Sequence, residues 1–120
     1  MQTSKHQLGL VIGASMFAFL AASPASAQSF NCSNASNAAE RAVCGSDRLS
    51  ALDDRLSNLY DALRGAMTSE KQMQRLRAYQ RQFLDTRDSC GRNTGCIKGA
   101  YLDQISVLSA RLRRAETDGD

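Results

Sequence analysis

From Asn37 onward, apolar residues recur at steps of three and four, which marks one buried stripe per helix. The first such segment is short. Asn37, with Glu40 three residues on, resembles a capping box, and Ala38, Ala39, Ala42 and Val43 carry the helix to Cys44, with Gly45 as its stop. Ser46 or Asp47 can cap a second helix, whose stripe is Leu49, Leu52, Leu56, Leu59, Tyr60, Leu63 and Met67. Arg55, Asn58, Asp61 and Arg64 fall on its outer face, Gly65 weakens its end, and Thr68 can cap the next helix.

A third helix is predicted from about Ser69 to Ser89, on Met73, Leu76, Gln80, Phe83, Arg87 and Cys90, flanked by Tyr79 and Leu84. Gly91 to Gly95 turns the chain, and Asn93 or Thr94 starts a fourth helix. Its stripe, Ile97, Tyr101, Ile105, Leu108 and Leu112, advances by four, four, three and four. Beyond Leu112 the pattern lapses, so residues 113–120 are expected to form a frayed tail. No segment alternates with a period of two, and the sole proline, Pro24, lies ahead of every helix. The pattern predicts an all-α fold: a small disulfide-stapled bundle of about four helices, one short and three longer.

The first 27 residues read differently. Lys5 and His6 precede an apolar run from Leu8 to Ala22, and Ala25-Ser26-Ala27 supplies the small residues that a signal peptidase reads. The run is shorter than the roughly 20 residues of a spanning helix. Residues 1–27 are therefore expected to be a signal peptide, 28–112 the helical domain, and the product an exported protein of the periplasm or exterior, with no stable membrane insertion. Without Lys5, 14 basic residues face 12 acidic ones, a balance that gives no argument for nucleic acid. His6 is the sole histidine, so the mature chain has none for general-base chemistry or for a metal site.

All four cysteines lie beyond Ala27. An even count in a small exported chain reads as disulfides, and four cysteines allow three pairings. Cys32–Cys44 with Cys90–Cys96 is expected, because each closes a short local loop worth roughly 2–3 kcal/mol. A four-cysteine zinc site would want CxxC spacing, which is absent, so no metal or other cofactor is expected.

Polar residues interrupt the stripes at three places. Asp53 borders the buried face of the second helix, while Gln80 and Arg87 interrupt the third. A charge on a core stripe needs a partner. Arg87 and Asp53 are therefore expected to meet, with Gln80, Tyr60 and Tyr101 as neighbours, as a staple fixing helix register or as a pocket floor. The arginines at 75, 77, 81, 111, 113 and 114 read as solvated helix faces. No nucleophile–base pair is visible. Asp53 and Asp54 are adjacent on a helix and point about 100° apart, too divergent to flank one substrate bond. Catalysis is not expected.

Several spacings together resemble one family. They are Phe30-x-Cys32, Glu40-x-x-x-Cys44 and Leu52-Asp53-x-x-Leu56-x-x-x-Tyr60. Gln80-x-x-Phe83-Leu84-x-x-Arg87-x-x-Cys90 and Cys96-Ile97-x-x-x-Tyr101, with Ile105 and Leu108, complete the set. Over about Phe30 to Leu112 the chain resembles the lysozyme inhibitor LprI-like family of bacterial envelope proteins. Phe83 stands where that family more often has tryptophan. The resemblance implies a helical, disulfide-bonded exported module whose partner is lysozyme. The competing expectation is an envelope interaction module for another protein or a peptidoglycan fragment. For a lysozyme partner, the loop Gly91 to Gly95 offers a basic probe, Arg92 beside Asn93 and Thr94, closed by Cys90 and Cys96.

Overall fold

Each helix begins where a short polar side chain accepts from the backbone two or three residues ahead. Asn37 accepts from the Glu40 N–H and opens α1, Ala38–Cys44. Ser46 accepts from Leu49 N–H and opens α2, Asp47–Ala66. Ser69 opens α3, Glu70–Ser89, and Asn93 opens α4, Thr94–Thr117. A single 3-10 turn at Cys32–Asn34 precedes them. These elements belong to a computed structural model that describes residues 29–118; the expected signal peptide lies outside the described residues.

Two boundaries differ from those read off the sequence. The cap of α3 is Ser69 rather than Thr68, because Ser69 forms a reciprocal capping box with Gln72. Thr68 donates instead, from both N–H and Oγ1, to the Gln72 side chain. The second difference is at the other end of the chain. Residues 113–117 are helical, not frayed, since α4 continues one further turn beyond Leu112. Arg113, Arg114, Ala115 and Glu116 are good helix formers, so propensity extends the element after the stripe has ended.

The stripes become the core. Leu49, Leu56 and Leu63 of α2, Leu76 and Phe83 of α3, and Ile97, Tyr101, Ile105 and Leu108 of α4 are buried together with Ala39 and Val43 of α1. The most extensive packing is between α2 and α4, while α1 lies against both α2 and α3. Seven residues are marginal as an isolated helix, and α1 is held at both ends of the problem. Cys44 is bonded to Cys32, and buried Ser50 of α2 donates to the Val43 carbonyl at 2.8 Å. Cys90 is bonded to Cys96 across the α3–α4 turn, so both expected pairings are present. That turn also needs Gly91, whose φ of +58° is in the left-handed region.

Candidate functional site

Side chains from four helices and the N-terminal segment converge on one buried phenol. Tyr101, in the second turn of α4, is fully buried and donates its hydroxyl to Asp53 Oδ1 of α2 at 2.8 Å. Asp53 is 2% exposed. Its Oδ2 accepts from the Ser29 backbone N–H, and Ser29 Oγ donates to Oδ1 at 3.0 Å. The Arg87 guanidinium of α3 lies near enough to the Tyr101 hydroxyl for each to perturb the titration of the other.

Arg87 is also 2% exposed, and its charge is balanced elsewhere than expected. Nε and Nη2 approach Asp88 Oδ1 at 2.8 and 2.7 Å, and Nη2 approaches Glu40 Oε1 of α1 at 3.5 Å. The guanidinium lies 5.6 Å from the Phe30 ring centroid and 5.9 Å from that of Phe83. Phe83 meets Tyr101 edge-on, with centroids 5.0 Å apart. Among the described residues no ion pair joins Arg87 to Asp53. Two other carboxylates, Asp88 and Glu40, neutralise the guanidinium instead, and Asp53 is held by Tyr101 and Ser29.

The electrostatics follow from this geometry. Burial pushes the Tyr101 hydroxyl far above its ordinary range, and the adjacent Asp53 charge pushes it further. Burial works against the Arg87 charge, but the Tyr101 hydroxyl and Asp88 leave its pKa raised. Glu40 is held below the usual carboxylate range, first by the Ser36 backbone N–H at 2.6 Å, with Ser36 Oγ and Arg87 adding to it against the cost of burial. All of these groups are engaged with one another. Each carboxylate oxygen of Asp53 and Glu40 has a hydrogen-bond or ion-pair partner.

A cleft of 370 Å³ opens beside the cluster, lined by Phe30, Glu40, Asp53, Tyr60, Gln80 and Arg87 among others. Tyr60 and Gln80 share the cleft wall with Asp53 and Arg87. Gln80 Oε1 is out of contact with solvent and has no hydrogen-bond partner among the described residues. An acceptor left so is costly, by about 1–3 kcal/mol.

The clasp is the other candidate. Arg92, Asn93 and Thr94 are exposed between Cys90 and Cys96. Asn93, one of the two residues expected to start this helix, is its cap: Oδ1 accepts from the Cys96 N–H at 2.9 Å. Its N–H also donates to the Cys90 carbonyl at 3.2 Å. Among the described residues, the exposed side chains of Arg92 and Thr94 have no hydrogen-bond or ion-pair partner.

Sequence reasoning missed three contributors. Asp88 was hidden because neighbours on a helix do not ordinarily face each other. Glu40 stood out in the Glu40-x-x-x-Cys44 spacing, but only as a capping residue. Arg111 was read as solvated, whereas its guanidinium stacks 3.9 Å from the Tyr79 ring centroid and its Nε is buried. Among the described residues no helix is long and apolar enough to cross a membrane. With this geometry in place, the comparisons are informative: the family model described as lysozyme inhibitor LprI matches residues 32–117. No curated protein and no solved structure matches the chain.

Proposed function

The chain belongs to the lysozyme inhibitor LprI family, and from that premise we propose that it is an exported protein-binding module that blocks a lysozyme in the bacterial cell envelope. The observation that carries this reading beyond the family is the clasp. Lysozyme clefts act through a pair of carboxylates, so a blocking element should be basic and fit a groove. Arg92 is an exposed arginine at the tip of a turn closed by a disulfide, a left-handed glycine and a helix cap. A turn so constrained loses little entropy on docking. Overall charge attraction explains less, since many lysozymes are themselves cationic.

Export is supported by both disulfides, which persist in oxidising compartments, and by the signal-like first 27 residues. Binding without catalysis is supported by the mutual engagement of Asp53, Glu40, Arg87 and Tyr101.

A second reading, recognition of a peptidoglycan fragment, is favoured by one feature, the acceptor Gln80 Oε1 in the 370 Å³ cleft. A turbidity assay separates the two. Purified protein should slow lysis of bacterial cells by a susceptible lysozyme, and Arg92→Ala should lose that inhibition with helicity and melting unchanged. Full inhibition by Arg92→Ala removes the clasp as the probe. No inhibition of any lysozyme type, with muropeptide binding that is lost in Gln80→Leu, favours the second reading.

A further inference from the structure

At the end of the α3–α4 hairpin remote from the clasp, a second depression of 250 Å³ is bounded by Leu63 and Met67 of α2 and Leu76 of α3. Arg75, Arg111 and Arg114 also line it, with Tyr79 beside them and Asp118 as the one acidic member. Among the described residues none of the three arginines is in an ion pair. Arg111 is the most constrained of them. Tyr79 occupies one face of its guanidinium, and its Nε is sequestered from solvent without an acceptor.

Arginines near the C-terminal end of a helix commonly offset the helix dipole, which suffices for Arg114. That account does not extend to Arg75, which lies in the second turn of α3, toward its positive end. Nor does it explain why Arg111, held flat against the Tyr79 ring, has no carboxylate partner among the described residues.

We propose that this depression binds a small amphiphilic carboxylate, with its apolar chain on Leu63, Met67 and Leu76 and its carboxylate on Arg111, flanked by Arg75 and Arg114. The size limits the guest, since drug-sized ligands occupy roughly 300–1,000 Å³. A planar monoanion suits the in-plane N–H groups of an arginine whose face is already stacked. Asp118 in the same wall disfavours a dianion such as phosphate.

The test uses the purified protein, labelled with nitrogen-15, and octanoate below its micellar concentration. Octanoate should move the Arg111 Nε–H and Tyr79 ring resonances saturably. Acetate, octanol and inorganic phosphate should each bind at least roughly tenfold more weakly, the difference expected from losing the apolar or the charge-assisted contact. Arg111→Gln should abolish the octanoate response. Because Arg75 and Arg114 are exposed, Arg75→Ala and Arg114→Ala should keep full helicity yet weaken octanoate by threefold or more. Octanol binding as tightly as octanoate, no saturable movement at Arg111, or unchanged affinity in both exposed-site variants would each overturn the assignment.

Discussion

Tyr101 and Asp53, 48 residues apart, meet through a 2.8 Å hydrogen bond inside the core, while the Arg87 guanidinium pairs with Glu40 and Asp88 rather than with Asp53. The link joins α4 to α2, and the Arg87–Glu40 pair separately joins α3 to α1.

Tyr101→Phe preserves the ring and its edge contact with Phe83 while deleting the hydroxyl. It should cost about 1.5–3 kcal/mol in urea denaturation, the range for a hydrogen bond to a charged group. Arg87→Ala should cost more, about 3–5 kcal/mol, because it empties a buried volume between Phe30 and Phe83 as well as removing the pairs to Glu40 and Asp88. The decisive measurement is a double-mutant cycle between Arg87 and Asp53 in two backgrounds. Coupling should be present with Tyr101 and collapse with Phe at that position. Equal coupling in both would mean that the two charges interact without the phenol.

Stability should fall at both extremes of pH, for separate reasons. Glu40 has a depressed pKa in the fold, so its contribution is present above the unfolded carboxylate value of about 4.3 and is lost as pH falls through the folded value. Tyr101 has a raised pKa, so the fold holds its proton more tightly than the unfolded chain does. Its contribution is complete below the unfolded value of about 10 and is lost as pH rises beyond that. Denaturation midpoints against pH should show a shallower acid limb in Glu40→Gln and a shallower alkaline limb in Tyr101→Phe. Each variant should leave the other limb unchanged.

Gly91 provides a local test of the α3–α4 turn. An added Cβ would meet nothing within 4 Å, so any penalty must come from the backbone conformation at φ +58°. Gly91→Ala should therefore destabilise by about 1 kcal/mol, with Gly91→Asn costing less because asparagine tolerates this region. A penalty for alanine no larger than for asparagine would show that the turn relaxes out of the left-handed conformation.

The helices were legible because Leu49, Leu56, Leu63 and their counterparts repeat at helical spacing, and apolar repetition is what the core selects. The caps at Asn37, Ser46 and Asn93 were legible too, as short polar residues just ahead of those stripes. Partnership inside the polar cluster was not. Arg87 on a buried face announces that an acceptor is needed, but several carboxylates on three other helices satisfy that need equally well in one dimension. Tyr101 stood on an apolar stripe and among the expected neighbours of the pair, but only the fold shows that its hydroxyl is what holds Asp53. Arg111 sits one position from Leu112, at the edge of a stripe, where rotation of α4 against Tyr79 decides between solvent and stacking.

The last prediction separates rigidity from contact at the clasp. If Arg92 engages a lysozyme cleft, its affinity depends on how much of the turn is ordered before docking. Opening the Cys90–Cys96 bridge as the paired Cys90→Ser, Cys96→Ser variant keeps Arg92, Gly91 and the Asn93 cap. The unfolded chain regains roughly 2 kcal/mol of loop freedom, and part of that freedom persists in the native turn. Inhibition should weaken, with most of the loss in the dissociation rate, since the encounter surface and its charge are the same. Arg92→Ala in the closed clasp should instead remove the contact and abolish inhibition whether or not the turn is rigid. Surface plasmon resonance against an immobilised susceptible lysozyme would read both rates. An open clasp that dissociates as slowly as the parent would assign the disulfide to folding alone and leave Arg92 acting on a flexible loop.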